Sequence, residues 1–345
     1  MKITFNKQIS QAVFHSPLKN FELDSQEIEH RADPLTGSTT VVRTGRHFWQ
    51  KEYTTDEKLL SEIIDQSRDW CFFCPEKVNK DTPKYPEELI PGGRIFVGQA
   101  CLFPNLFAQK ENSAITVICH KHHLPLTEFS PELLVNSFKA SLIYIQKIYQ
   151  DKSARFAEIG FNYFFPAGAS MPHPHLQVML SDTPYFLISS LLQHSENFYK
   201  ENSVNYWDEL IKTEKETGER YLNVLGNTEW LVPFAPMMED EVHGIVRNKS
   251  NILDFDESDW ESLADGISRI FKYYNNKGLS SCNFALYSGP LNAKLDYFWA
   301  GVRIVSRCSV RPSAANDTWY SQAIFRDGLI TEPPEEIANS LRSYF

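Results

Sequence analysis

Three polar side chains recur at alternate positions near the middle of the chain, where residues 168–180 are Gly-Ala-Ser-Met-Pro-His-Pro-His-Leu-Gln-Val-Met-Leu. They are His173, His175 and Gln177. Two prolines disfavour a helix here, and the following residues predict a strand, whose period of two puts all three side chains on one face. Leu176 and Val178 then point into the core. A neutral imidazole can attack phosphorus and hold it as a phosphoramidate, and His175, at the centre of the row, is the candidate nucleophile.

A histidine pair on a strand can also be an ordinary surface feature, so the neighbouring motifs matter. Cys71 and Cys74 form a Cys-x-x-Cys pair, and with His173 and one of His122 or His123 they supply two thiolates and two imidazoles. This ligand set is typical of a closed tetrahedral zinc site, which leaves no position open for water. We therefore expect one structural Zn2+. The alternative is a cysteine pair without metal in a reducing cytoplasm.

The composition is that of a globular protein. The chain has 345 residues, 42% of them hydrophobic, and carries a net charge of -10. This acidity argues against a nucleic acid or an anionic membrane surface as partner, while a small anionic substrate needs only a few local basic groups. No apolar run reaches membrane-spanning length, and the start of the chain lacks the apolar core of a signal peptide. We expect a cytoplasmic protein.

The order of predicted elements repeats along the chain. The first half is predicted to have strands, a helix starting at Ser130, and two further strands, the second carrying His175. From Glu229 a similar order recurs, with a helix that starts at Asp256. The repeat favours two copies of one α+β unit packed together.

Several segments match the motifs of a known enzyme family. These segments are Arg31 to Gly37, Cys71 to Pro75, Phe103 to Ala108, His122 with Leu126 to Ser130, Asn162 to Gln177, and Glu219 to Ala235. Through them the chain resembles the galactose-1-phosphate uridylyltransferase family, which includes ADP-glucose phosphorylase-like enzymes and belongs to the histidine-triad superfamily. The segment from Asn162 to Gln177 is the most specific match.

The resemblance implies a fold and its boundaries. We expect an α+β protein of two tandem histidine-triad-like units, with antiparallel sheets and helices packed on one side. Residues 1–184 would hold the zinc site and the catalytic His-Pro-His-Leu-Gln motif, and residues 185–345 a degenerate copy. The family is usually dimeric, so a homodimer is expected.

The resemblance also implies roles for individual residues. His175 would take up a nucleoside monophosphate, and Gln177 would hydrogen-bond its phosphoryl group. Phosphate and nucleotide contacts would come from Arg46, Asn105, Asn162 and Ser170. The zinc ligands would be Cys71, Cys74, His122 and His173, with His122 preferred over His123.

Departures from the family pattern limit what the resemblance implies. The second-half ligands of a further metal site are absent, Phe164 stands where a glycine is usual, and Leu106 stands where an acidic residue can bind ribose. Hydrolases of the superfamily carry histidine at the position of Gln177, which favours transfer over hydrolysis here.

The expected activity is therefore nucleotidyl transfer from a nucleotide sugar or dinucleotide to a phosphate or sugar-phosphate acceptor, of the hexose-1-phosphate uridylyltransferase or sugar-nucleotide phosphorylase type. The alternatives are a nucleotide phosphohydrolase and a non-catalytic nucleotide-binding protein. The sequence does not choose among uridine, adenosine and guanosine nucleotides.

Overall fold

A computed structural model describes residues 3–43, 54–152, 154–312 and 317–345. The strands are β1 Lys7–Ser16, β2 Glu22–Ala32, β3 Thr39–Val42, β4 Ile95–Val97, β5 Ala100–Pro104, β6 Asn112–Val117, β7 Phe156–Tyr163, β8 His175–Ser181, β9 Tyr221–Leu225, β10 Thr228–Leu231, β11 Val242–Val246, β12 Cys282–Tyr287, β13 Gly301–Ser306 and β14 Gly328–Ile330. The helices are α1 Glu57–Arg68, α2 Pro75–Asp81, α3 Pro131–Lys152, α4 Phe186–Asn202, α5 Tyr206–Thr217, α6 Glu257–Asn276 and α7 Pro334–Leu341.

One antiparallel sheet of ten strands runs through both halves of the chain, in the order β4-β5-β6-β8-β7-β12-β13-β11-β10-β9. Each half contributes five strands, and the order of the second half mirrors that of the first. The two halves meet at β7 and β12, where Asn162 pairs with Asn283. The α+β class, the antiparallel sheet and the tandem arrangement are confirmed.

The two long helices lie on one face of this sheet, as predicted. α3 packs on β4, β5, β6 and β8, α6 packs on β9, β10, β11 and β13, and the two helices contact each other. Both begin where the sequence indicates, because the Ser130 hydroxyl accepts from the Leu133 amide and Asp256 forms a capping box with Asp259.

A single apolar core lies beneath α3 and α6 and crosses the boundary between the halves. Leu176 and Val178 are fully buried in it, as the alternation of β8 requires. Phe161 of the first half and Phe284 of the second pack together as a tilted pair, with ring centroids 4.9 Å apart. Burial of each such ring contributes about 1.5–3 kcal/mol.

A second helical layer covers the opposite face of the second half. Trp207 and Ile211 of α5 pack with Leu231 and Ile245, which point away from α6. The physical reason is that these strands carry apolar residues on both faces, so both faces need cover. In the first half, the corresponding face carries His175 and Gln177.

The two ends of the chain meet in a second, smaller sheet of order β1-β2-β3-β14, in which β14 runs parallel to β3. Arg31 of β2 is buried and binds Glu335 of α7 through two hydrogen bonds of 2.8 Å.

The division at residue 184 stays a prediction. Among the described residues, no helix is both long and apolar enough to span a bilayer.

Candidate active site and metal centre

His175 is the first residue of β8 and lies on the face of the sheet opposite α3. It is 4% exposed, and the edge of the Phe73 ring contacts it with centroids 5.1 Å apart. β8 is paired with β6 on one side and β7 on the other. A central strand of this kind holds the imidazole in one orientation.

The tautomer of His175 follows from its hydrogen bond. Its Nδ1 lies 2.8 Å from the carbonyl oxygen of His173. A carbonyl only accepts, so Nδ1 carries the proton and Nε2 keeps its lone pair. Burial lowers the pKa of His175, although this hydrogen bond opposes the shift. The ring is therefore neutral at neutral pH, the state in which Nε2 is nucleophilic.

Two cysteines and two histidines, one of them His173, meet close to His175. The ligand atoms of Cys71, Cys74, His122 and His173 all lie within 4.8 Å of one another, and all four residues are buried. Nδ1 of His173 is 3.6 Å from Sγ of Cys71, and Nδ1 of His122 is 3.4 Å from Sγ of Cys74. A tetrahedral zinc site, with Zn–S of about 2.3 Å and Zn–N of about 2.0 Å, puts sulfur and nitrogen about 3.5 Å apart.

The remaining imidazole nitrogens of this cluster are also engaged. Nε2 of His173 donates to the carbonyl of Cys119 over 2.8 Å, and Nε2 of His122 lies 2.9 Å from the Ser67 hydroxyl. These contacts leave the Nδ1 lone pairs directed at the sulfurs, as a metal ligand requires. The geometry fits Zn2+. His123 lies outside the cluster and stacks on Tyr163 instead.

The charge of the two thiols depends on whether a cation is bound. Burial raises the pKa of Cys71, and burial together with the neighbouring Cys71 raises the pKa of Cys74 to about 12. A bound divalent cation reverses this effect, because it stabilises the thiolate directly. The cluster joins the link between α1 and α2, the segment after β6, and the residues that lead into β8.

The other predicted site residues lie in different surroundings. Gln177 and Asn162 line a common cavity. Ser170 is exposed, in the segment before β8. Asn105 is half-buried, and its side-chain Oδ1 accepts from the Phe107 amide, so it shapes its own turn. Arg46 lies outside the described residues.

Sequence reasoning missed a partner of Asn162 in the second half. Nδ2 of Asn283 donates to Oδ1 of Asn162 over 2.7 Å, and Arg307 donates to Oδ1 of Asn283 over 2.8 Å. Arg307 is itself held by Asp317. The repeat of elements was the available signal, since it predicts that the strands carrying the two asparagines correspond.

The second half lacks a nucleophile at the position that corresponds to His175. The register of the Phe161–Leu176 pair, continued by one residue, brings Asn162 beside His175. On the other side of the central pair, Asn283 is paired with Val305. Val305 is therefore the counterpart of His175 in the second half, and valine has no nucleophilic atom. Of these two corresponding positions, only that of His175 holds a candidate nucleophile.

Phe164 adopts a backbone conformation that favours glycine. Its φ is 68° and its ψ is 168°. The side chain is fully buried and contacts the rings of His123 and Phe165. A glycine would adopt this backbone conformation without strain, and here a buried aromatic contact compensates for the strain.

A cavity of about 550 Å³ opens beside Gln177 and Asn162, over strands β8, β7, β12 and β13. Glu158, Ala285 and Arg303 also line it. The sequence indicates which face of its own strand each residue occupies, but it does not give the order of the strands that brings these residues together. The cavity provides room for a ligand beside Gln177, which lies on the same face of β8 as the candidate nucleophile.

Comparisons with known proteins agree with this architecture. No protein-family model matches the chain. An uncharacterised protein of Archaeoglobus fulgidus is 29% identical over 321 residues, which is 93% of each chain.

Among solved structures, an ADP-glucose phosphorylase of Arabidopsis thaliana with bound ADP-glucose superimposes with a TM-score of 0.69 and 16% identity, over 91% of this chain and 98% of that one. A galt-like protein of the same plant gives 0.68 and 17%, over 92% and 99%. A uridylyltransferase structure gives 0.64 and 18%, over 91% and 98%. The chain therefore has the fold of the uridylyltransferase and ADP-glucose phosphorylase structures, as its motifs led us to expect.

Proposed function

We propose that the protein is a nucleotidyltransferase that acts on a nucleotide sugar or dinucleotide through a nucleotidyl-His175 intermediate. One observation carries the proposal: Nδ1 of His175 is committed to the His173 carbonyl, which leaves Nε2 free on a buried, neutral ring. Gln177, on the same face of β8, lines a cavity that could hold the donor. The fold shared with uridylyltransferase and ADP-glucose phosphorylase structures supports it.

The proposed reaction has two in-line steps. Nε2 of His175 attacks the α-phosphorus of the donor, a P–N bond forms, and the P–O bond to the leaving phosphate breaks. An oxygen of the acceptor, a phosphate or sugar phosphate, then attacks the same phosphorus and the P–N bond breaks. Neither step requires a proton relay, since Nε2 attacks and leaves as a lone pair while Nδ1 keeps its proton, and the other attacking and leaving groups are phosphate oxygens.

The protein stabilises the charge that develops in each step. The imidazole becomes positive as the P–N bond forms, and its Nδ1–H then bonds the His173 carbonyl more strongly. The side-chain amide of Gln177 would donate to the phosphoryl oxygens. Asn162, which Asn283 holds in place, would contact the nucleotide. Ser170 and Arg46 would contact its phosphates. Gln177 cannot act as a general base for water, which favours transfer.

A structural zinc fits the same scheme. Bound Zn2+, held by Cys71, Cys74, His122 and His173, would supply charge that keeps both cysteines as thiolates. With four protein ligands, the ion would have no position open for water or substrate, so the reaction would depend on His175. The ligands would fix the backbone of His173, and with it the carbonyl that orients the nucleophile.

Intact-protein mass spectrometry tests the proposal. Wild type and His175→Ala are incubated briefly with UDP-, ADP- and GDP-sugars and with dinucleoside polyphosphates. An added nucleoside monophosphate in the wild type alone is the expected result, and its mass identifies the base. No adduct from any donor, in protein that holds one zinc, would contradict the covalent mechanism. Monophosphate released without an acceptor would instead support a hydrolase.

A further inference from the structure

Two small residues, Gly160 and Ala285, form the floor of the cavity of about 550 Å³ beside Gln177, which is called the central cavity below. Gln177 pairs with Gly160, Gly160 with Ala285, and Ala285 with Arg303, so these four residues form one row across β8, β7, β12 and β13. All four line the cavity. Adjacent strands lie about 4.8 Å apart, so a gap of about 14 Å separates the backbone positions of Gln177 and Arg303.

None of the described residues comes close enough to position 160 to require glycine there. The residue lies inside β7 with ordinary strand geometry, and a Cβ placed on it would meet only the Gln177 carbonyl oxygen, at 4.0 Å. A glycine weakens a strand, and one common reason for it is close approach of a ligand to the backbone. Since Ala285 beside it is exposed, the floor is kept clear from the protein's own side chains.

The walls of the cavity are mainly apolar. They are formed by Met179, Tyr185, Leu187, Ile188, Met237 and Met238. Two of the polar lining groups are already used, since Asn283 bonds Asn162, and Glu241 bonds His243 over 2.7 Å. A hexose presents hydroxyl groups on most of its surface and would leave them facing these apolar walls without partners. A nucleobase, with two apolar faces, fits them.

Glu158 offers a specific acceptor at the edge of the floor. It is two residues from Gly160 on β7, so it faces the same side of the sheet. Its side chain is 17% exposed, and Lys110 is 3.9 Å from Oε1. Oε1 is buried and has no hydrogen-bond partner among the described residues. A buried carboxylate oxygen in this state fits a ligand hydroxyl, such as those of a ribose.

We infer that the donor is a dinucleoside polyphosphate, whose second nucleoside occupies the central cavity with its base against the apolar walls and its ribose hydroxyls on Glu158. The inference rests on the proposed function and chooses between the two donor classes named there. The phosphate chain would run from Gln177 over Gly160, on the strand that carries Glu158, with Ala285 and Arg303 on the far side of the cavity. A cavity of about 550 Å³ is within the size range of small-molecule sites.

Matched donor pairs test this inference. The full-length protein, with inorganic phosphate as acceptor, is given diadenosine tetraphosphate against ADP-glucose, diuridine tetraphosphate against UDP-glucose, and diguanosine tetraphosphate against GDP-glucose. We expect kcat/KM to be at least about 10-fold higher for the dinucleotide of the active base. Equal or better use of the sugar nucleotide would overturn the inference and leave the proposed function standing. No protein adduct from any of the six donors would overturn both.

Two variants locate the subsite. Glu158→Gln should lower kcat/KM for the dinucleotide about 10-fold and leave that for the sugar nucleotide unchanged. The control Glu261→Gln makes the same change on the exposed face of α6 and should alter neither. A parallel fall with both donors would contradict the role of Glu158.

Gly160→Val should keep or raise the melting temperature, because valine favours a strand, and should lower dinucleotide turnover. A lower melting temperature with unchanged turnover would show that the glycine serves the fold and not a ligand.

Discussion

The imidazole of His175 donates a hydrogen bond of 2.8 Å to the backbone carbonyl of His173, whose own side chain belongs to the cluster of two cysteines and two histidines. The candidate nucleophile and the candidate metal centre are therefore joined through two residues of one chain segment. This connection separates two kinds of variant, those that remove the nucleophile and those that release the segment holding it.

Removal of the nucleophile should abolish activity without disturbing the fold. In His175→Ala we expect transfer to fall by about 10³-fold or more, because no neighbouring side chain replaces Nε2. Circular dichroism and zinc content should match the wild type, since His175 is not among the four clustered ligands. His15→Ala, on the exposed β1–β2 hairpin, is the control and should keep full activity. Substantial transfer by His175→Ala would disprove the covalent route.

Loss of one cluster cysteine should remove the metal. Cys74→Ser is expected to reduce zinc from one ion per chain to none and to lower the free energy of unfolding by at least about 2 kcal/mol, because three chain segments lose their common link. Cys101→Ser changes another buried cysteine that lies outside the cluster and should retain zinc. Elemental analysis and urea unfolding measure both effects. Full zinc occupancy in Cys74→Ser would argue against the proposed site.

A histidine in place of Gln177 should shift the reaction toward water. In Gln177→His we expect monophosphate release without acceptor to rise about 10-fold, since an imidazole at this position can remove a proton from water and a carboxamide cannot. Gln177→Asn, which shortens the side chain and adds no base, should reduce transfer without raising hydrolysis. Chromatographic analysis of the products distinguishes the two outcomes. If both variants hydrolyse equally, the side chain at this position does not decide the acceptor.

Glu158 should make stability depend on pH. Burial raises its pKa to about 7 against an ordinary 4.5, with Lys110 opposing the shift. The native state thus holds its proton more tightly than the unfolded state, and stability should fall as pH rises from about 4.5 to 7. Glu158→Gln has no carboxyl group to titrate, so its free energy of unfolding should not show this fall. Between pH 4 and pH 8 the variant should therefore gain about 2–3 kcal/mol in free energy of unfolding relative to the wild type. Urea unfolding at both values measures it, and a pH-independent difference would refute the assignment.

The strained backbone at Phe164 should be detectable in paired variants. Its buried ring contributes more than the strain costs, so Phe164→Gly and Phe164→Ala should both be less stable than the wild type. Glycine accepts the positive φ and alanine does not, so Phe164→Gly should be the more stable of the two by about 1 kcal/mol. Thermal unfolding gives the comparison. A glycine variant less stable than the alanine variant would show that the positive φ causes little strain at this position.

Local chemistry in the sequence was sufficient for several features. The alternation around His175 predicted a strand with Leu176 and Val178 buried, because side chains of a strand alternate between faces. Ser130 and Asp256 marked helix starts, since their oxygens cap free amides. The cysteine pair and the nearby histidines predicted a site of two thiolates and two imidazoles, and four such residues do meet in space.

Other features depended on contacts between residues far apart in the chain. The choice of His122 over His123 in the cluster depends on how the segment after β6 packs, and residue chemistry alone left it open. The pairing of Asn162 with Asn283, and the row from Gln177 to Arg303 over Gly160 and Ala285, arise from strand order and register. The sequence by itself determined which residues could react, because that is a property of each side chain. Only the tertiary structure decided which of them share a cavity, because strand neighbours are chosen by the packing of the whole sheet.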